Sequence, residues 1–228
     1  MITVTEKLNI TWASMSATVL SSSKYGSEYD RVKILHEIGL QTPLAQDESF
    51  YIPPQGKSID TRVIFPDGNI TNFAGQRFKD LQDELVQYED AIKNQDVARM
   101  QELHQLFLST AMLTPVVIKA GTKVITFEYE LAIYPKDGSF DFACWAPMPS
   151  FAVAVGGQVT AVLQLPSKIG QAFKVSELVT SGSIPDAQGN PTGGEVPKAV
   201  DNDFGLRHIV AWNWQNDPLF KVHYKYAD

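Results

Sequence analysis

The sequence predicts a mainly β protein of the α+β class: an antiparallel β-sandwich or jelly-roll-like body with one inserted αα-hairpin. Apolar and polar residues alternate through many short stretches, as they do in strands with one buried face. Glycine and proline separate these stretches at close spacing, which is typical of sandwiches and barrels. Residues 76–112 form a long stretch without glycine or proline, and there the apolar residues recur at helical steps of three and four.

The N-terminal part predicts strands, with one ambiguous segment. Residues 2–20 alternate apolar with small polar side chains and predict one or two strands. Residues 27–38 fit a helix that Ser27 caps and that presents Val32, Leu35 and Ile38 on one face. The same residues also fit a strand, because every second position is apolar or aromatic from Val32 onward. We favour the helix as the working prediction.

Prolines and glycines between residues 41 and 75 exclude any long helix there. Within this segment, residues 62–65 and 69–73 flank Pro66-Asp67-Gly68 and predict a hairpin.

Residues 76–112 predict an αα-hairpin. Its first helix carries an apolar stripe consisting of Phe78, Leu81, Leu85, Tyr88 and Ile92. Asp96 is a suitable N-cap for the second helix.

The stretch from Thr122 to Trp145 has the clearest strand pattern. Its inward positions are expected to be Ile125, Phe127, Tyr129, Leu131 and Ile133, followed after a turn by Phe140 and Phe142. Residues 135–138 supply the turn, so the stretch predicts a β-hairpin at the centre of the sheet. Its outward residues include Glu128 and Glu130.

The C-terminal part predicts further strands and one long loop. Strands are predicted at residues 151–155 and 158–165, separated by a tight Gly156-Gly157 turn, and at residues 173–180. Residues 181–200 are rich in turn formers and predict a long exposed loop. Residues 206–226 predict a terminal hairpin.

The composition limits the classes of partner. The 228 residues suit a single β-rich domain, with 44% hydrophobic and 20% charged residues. A net charge of −7 argues against nucleic acid or an anionic membrane as a partner. Cys144 is the only cysteine, which excludes an internal disulfide and a thiolate-rich zinc site. Neither a signal peptide nor a membrane span is evident, so we expect cytoplasmic synthesis.

The sequence gives only weak evidence for a catalytic or metal site. Glu128 and Glu130 could act as a carboxylate pair, but a solvated strand face is the simpler interpretation. His208 and His223 could face each other across the terminal hairpin, with Asp201 and Asp203 upstream, and form a metal or acid/base cluster. Exposed strand histidines are again the simpler interpretation. We therefore expect no catalytic residue, no cofactor and no metal, and we expect Cys144 to be a buried hydrophobe.

Aromatic residues are the best candidates for binding a partner. Such side chains stack on sugar rings or anchor protein interfaces, although they also fill cores. The possible partner-binding set is Trp145, Trp212, Trp214 and Tyr226. Of these, Trp212 or Trp145 is expected at a surface.

These features favour a non-catalytic structural protein of a large assembly, which binds other copies of itself and other proteins. The concrete hypothesis is a bacteriophage or other virion component: capsid decoration, minor capsid or tail protein. A carbohydrate- or receptor-binding module is the alternative, so a glycan is a possible partner. A metal-assisted hydrolase using His208, His223, Asp201 and Asp203 is the second alternative.

Overall fold

The computed structural model describes residues 7–52, 76–77, 82–111, 114–146, 150–184, 194–215 and 218–228. These residues form a mainly β fold with two α-helices and several sheets, as predicted. The predicted hairpin at residues 62–73 lies outside the described residues.

The described strands follow one another along the chain as β1 (Leu8–Leu20), β2 (Asp30–Leu40), β3 (Glu48–Ile52), β4 (Gln76–Arg77), β5 (Thr114–Ile118), β6 (Val124–Ile133), β7 (Ser139–Trp145), β8 (Phe151–Leu165), β9 (Val175–Ser183), β10 (Lys198–Asp203), β11 (His208–Trp214) and β12 (Leu219–Tyr226). The helices are α1 (Gln82–Lys93) and α2 (Val97–Ala111), and a short 3-10 helix (Ser22–Tyr25) follows β1.

The strands form three sheets. The largest has the order β10-β11-β8-β1-β2-β6, and all its neighbours are antiparallel except β1 and β8, which are parallel. The others have the orders β7-β12-β9 and β4-β3-β5. Side chains from all three sheets belong to one hydrophobic core. For example, Trp212 on β11 contacts Phe220 on β12, with ring centroids 4.5 Å apart.

The helix predicted at residues 27–38 is wrong, because most of this segment is strand β2. β2 lies between β1 and β6 and pairs with both along nearly its whole length. Its alternate residues Asp30, Val32, Ile34, His36 and Ile38 are all buried. The local pattern was compatible with a helix and with a strand. The segment is a strand because β1 and β6 pair with its two edges.

The hairpin predicted for residues 122–145 is also wrong. The predicted turn forms: Asp137 and Gly138 have φ angles of 53° and 78°, and Lys136 and Ser139 exchange backbone hydrogen bonds. Beyond the turn, however, β6 joins the six-stranded sheet and β7 joins a three-stranded sheet. Among the described strands, β6 and β7 each lie at the edge of their sheet, so this stretch is not the centre of a sheet.

The prediction of buried side chains in the same stretch is confirmed. The inward residues Ile125, Phe127, Tyr129, Leu131, Ile133, Phe140 and Phe142 are all buried. On the outer face, Glu130 pairs with Arg31, and Glu128 pairs with Lys33 at 2.5 Å. Alternation therefore identified the buried face correctly, although it could not identify the pairing partner.

Two further sequence interpretations are corrected in the C-terminal part. β8 is one continuous strand with an irregularity: residues 154–157 oppose only Thr11 of β1, and Gly156 has a φ of 81°. The predicted terminal hairpin is not formed either, because β11 and β12 belong to different sheets. In the predicted 181–200 loop, residues 181–183 extend β9 and residues 198–200 begin β10, while residues 185–193 lie outside the described part.

The helices occur where they were predicted, and they contact each other. The rings of Tyr88 and Phe107 are 5.7 Å apart, and Arg99 donates a hydrogen bond to Gln87. The carboxylate of Asp96 accepts a hydrogen bond from the backbone N–H of Arg99 at 3.0 Å, as expected for an N-cap. Neither of these helices combines the length and the hydrophobicity needed to cross a membrane.

Candidate functional site

A cleft of about 780 Å³ lies where three connections meet at one end of the large sheet. The end of β1 and the 3-10 helix form one side. The segment 166–173 after β8 and the turn 205–207 before β11 form the other. These segments are far apart in sequence, and the pairing of β1 and β11 with β8 brings them together.

The carboxylate of Asp203 holds two of these segments in place. Its Oδ1 accepts hydrogen bonds from Ser167 Oγ at 2.6 Å and from the N–H of Gly205 at 2.8 Å. Its Oδ2 accepts one from the N–H of Lys168 at 2.5 Å. Burial opposes ionisation of Asp203, but these hydrogen bonds outweigh it and lower its pKa to about 2. The segment after β8 is therefore fixed to the turn before β11.

Gly170 and Gly205 bring the same two segments into backbone contact. A Cβ atom on Gly170 would overlap the carbonyl oxygen of Gly205, and this neighbour is backbone that cannot rotate away. We expect Gly170→Ala to lower the free energy of unfolding by about 1–3 kcal/mol, measured by urea denaturation. Gly194→Ala is the matched control, because nothing lies within 4 Å of the added atom. Equal stability of the two variants would contradict the packing described.

The opposite side of the cleft is held by the buried carboxylate of Asp30. It accepts hydrogen bonds from the hydroxyl groups of Tyr224 and Tyr226, both at 2.7 Å. It also accepts bonds from the backbone N–H and the hydroxyl of Ser23, in the 3-10 helix. Burial raises the pKa of both tyrosines, so their hydroxyl groups remain donors. This network fixes the 3-10 helix against β12.

Large apolar side chains stand exposed around the cleft. Tyr25, Ile169 and Leu206 line it and are 79%, 68% and 89% exposed, and Phe204 in the adjoining turn is 67% exposed. The ring of Tyr25 meets that of Phe173 edge to face at 4.9 Å. A concentration of exposed apolar side chains on fixed backbone is typical of an interaction site.

The charged groups around the cleft are mostly basic. Arg207 lines it and donates a hydrogen bond to the carbonyl of Val19 at 2.5 Å. Lys24, Lys168 and Lys174 are exposed neighbours of lining residues. Among the described residues, none of these three lysines forms an ion pair, and Lys24 instead lies 4.7 Å from the ring centre of Tyr226.

The predicted acid/base cluster is only partly assembled. His208 is buried, with Nε2 2.7 Å from Asp201 and Nδ1 3.6 Å from Asp203. Burial opposes ionisation of Asp201, but hydrogen bonds from Lys198 and His208 lower its pKa. His223 lies in the other sheet, 2.8 Å from Asp141, so the two histidines do not face each other. In the described part of the chain, no group of three or more His, Cys, Asp or Glu could hold a metal ion.

Three of the four predicted partner-binding aromatics, Trp212, Trp214 and Tyr226, do not line the cleft. Trp212 is fully buried, so within the alternative of Trp212 or Trp145 it is not the surface residue, and Tyr226 is buried against Asp30. Trp214 is half-buried and packs against the core. The side chain of Trp145 lies outside the described part of the structure. Alternation within β11 and β12 placed these aromatics on one face, and that face is the inner one.

The exposed residues of the cleft were missed by sequence analysis, because they lie in connections without periodicity. Tyr25 follows a run of serines, and Leu206 lies in a turn. Cys144, in contrast, is buried as predicted, and burial raises the pKa of its thiol to about 12.

No known protein-family model matches this chain, and no similar sequence is found among curated proteins. Its function is therefore inferred from the cleft and the surfaces around it.

Proposed function

We propose that the protein is a non-catalytic structural subunit of a large assembly. In its concrete form it is a bacteriophage or other virion component, such as a capsid decoration, minor capsid or tail protein. The observation that carries the proposal is the group of exposed apolar side chains around the cleft: Tyr25, Ile169, Phe204 and Leu206. Its partners are other copies of the chain and other proteins of the assembly.

The energetics of burial support a docking role. Covering one large apolar side chain stabilises a complex by about 1.5–3 kcal/mol. The backbone under these side chains is already held by the Asp203 and Asp30 networks, so little order has to be gained on binding. Several such side chains on a fixed rim therefore favour a lasting protein contact.

The body that presents the cleft is proposed to be a β-sandwich. The contact between Trp212 of the six-stranded sheet and Phe220 of the β7-β12-β9 sheet supports this stacking. The edge strand β6 is ten residues long and offers a second place where a neighbouring subunit could add a strand. The net charge of −7 argues against nucleic acid as a partner.

The proposal predicts that the isolated protein forms a defined oligomer or particle that depends on the cleft. We expect Leu206→Glu to weaken association at least tenfold, because it places a charge within an apolar contact. Val155→Glu is the control, since Val155 is fully exposed at the irregularity in β8. Size-exclusion chromatography with light scattering and electron microscopy measure the effect. A strict monomer at high concentration, with no symmetric particle, would refute the proposal.

A carbohydrate- or receptor-binding module remains the second candidate, favoured by the exposed ring of Tyr25 beside the cleft. Exposed aromatic rings stack on the apolar faces of sugars. Binding to a glycan array that is lost in Tyr25→Ala would support this candidate over the structural one.

A further inference from the structure

We infer that the cleft receives helix α1 from a second copy of the chain. This inference rests on the proposed function and names the contact by which the assembly grows. It follows from two surfaces with complementary chemistry, one on the helices and one at the cleft.

The first surface is the outward face of α1. Leu85, Val86 and Ile92 are 44%, 56% and 51% exposed, and Leu85 and Ile92 belong to the apolar stripe identified in the sequence. Leu85 and Ile92 are seven residues apart, so they lie on one stripe about 10 Å long. Tyr88, which neighbours this stripe on the helix surface, meets Phe107 of α2, and Ala91 on the adjoining face is buried, while the three aliphatic side chains stay exposed. Within the described structure, the outward apolar stripe is therefore uncovered.

The helices that carry this stripe are acidic. Among the described side chains of the two helices and the turn between them, five are acidic (Glu84, Glu89, Asp90, Asp96 and Glu102) and two are basic (Lys93 and Arg99), a net charge of −3. Arg99 is paired with Glu102, and Lys93 is paired with Asp90. Glu89 lies between Leu85 and Ile92 on the stripe and is exposed. The surface thus combines aliphatic side chains with uncompensated negative charge.

The cleft has the matching character. Its rim is apolar, Arg207 lines it, and Lys24, Lys168 and Lys174 are exposed next to lining residues. Two carboxylates lie beside the cleft, Asp203 and Asp30, and each is occupied by several hydrogen bonds from protein groups. An apolar helix face entering an apolar groove is a common mode of peptide recognition, and the opposite charges would set its orientation. The net charge of −7 makes copies of the chain repel one another. The attraction therefore comes from the contact between the acidic helix surface and the basic residues at the cleft.

Because the cleft and α1 are different surfaces, the contact is heterologous. Repeated contacts of this type close into a ring or continue as a helical filament, depending on the rotation between neighbours. The inferred contact therefore provides a way to build a symmetric assembly from one chain.

Charge reversal in the full-length chain tests the inference. One variant carries Lys168→Glu and Lys174→Glu at the cleft, and another carries Glu89→Lys and Asp90→Lys on α1. We expect each variant alone to associate at least tenfold more weakly than the wild type. We expect an equimolar mixture of the two to recover association, because the reversed surfaces are again complementary. Light scattering measures association, and circular dichroism confirms that each variant is folded.

Replacing an apolar residue of α1 tests the same contact independently of charge. Ile92→Ser should also weaken association about tenfold, whereas Val97→Ser should not, although Val97 on α2 is 57% exposed. If the wild type assembles while the charge and Ile92 variants assemble equally well, the helix-in-cleft contact is refuted and the proposed function stands. Loss of association in both charge variants without recovery on mixing also refutes the contact. A wild type that stays monomeric refutes both.

Discussion

Replacing Trp212 with alanine is expected to lower the free energy of unfolding by about 3–5 kcal/mol. The side chain is fully buried and lies against Phe220 of the other sheet, with ring centroids 4.5 Å apart. Its removal leaves a cavity between two sheets whose backbones are held by their own strand pairing, so the space cannot simply collapse. Urea denaturation followed by circular dichroism measures the loss.

Trp214→Ala is the matched control, because it removes the same side chain from the same strand at a half-buried position. We expect a loss well below that of Trp212→Ala. A larger loss of stability for Trp212→Ala than for Trp214→Ala would identify Trp212 as a core residue and not a partner-binding one. If Trp212→Ala left stability unchanged but abolished assembly, the buried position of this side chain would be contradicted.

Acidification is expected to destabilise the protein through His36. This side chain is buried on β2, and burial lowers its pKa from 6.5 to about 3. Nε2 lies 3.2 Å from the hydroxyl of Tyr129 on β6, while Nδ1 has no partner in the described part of the chain. No described carboxylate compensates a charge on this ring. The folded protein therefore keeps His36 neutral.

The direction of the pH dependence follows from this lowered pKa. The unfolded chain binds a proton at His36 below pH 6.5, while the folded chain does so only near pH 3. The stability associated with neutral His36 is therefore fully present above pH 6.5 and is lost as the pH falls towards 3. Between pH 7.5 and pH 5 the loss from this residue is about 2 kcal/mol.

His36→Gln isolates this contribution, because the amide can still bond the hydroxyl of Tyr129 but does not titrate. We expect the stability of His36→Gln to depend less steeply on pH between 7.5 and 5 than that of the wild type. Urea denaturation at several pH values gives both slopes. Parallel slopes would show that His36 is protonated equally in the folded and unfolded chains.

The cleft connects these stability arguments with the proposed assembly. Its walls are fixed by two buried or partly buried carboxylates, Asp30 and Asp203, each of which accepts several hydrogen bonds. Loops held in this way present exposed apolar side chains at constant positions, and the entropic cost of docking falls accordingly.

The sequence by itself determined which side chains are buried in several strands, and where the helices lie. In β6, residues at every second position are buried as the alternation predicted. This success has a local cause, because successive strand residues point to opposite faces and only one face is apolar. Apolar residues at steps of three and four, in a segment without glycine or proline, likewise located α1 and α2.

Only the tertiary structure decided which strands pair and where the cleft lies. A buried face has the same pattern whether its strand pairs with the next strand or crosses to another sheet, as β6 and β7 do. The segment of β2 had no decisive local pattern and became a strand because β1 and β6 pair with its two edges. The cleft depends on contacts such as Ser167 with Asp203, which strand pairing between distant parts of the chain creates.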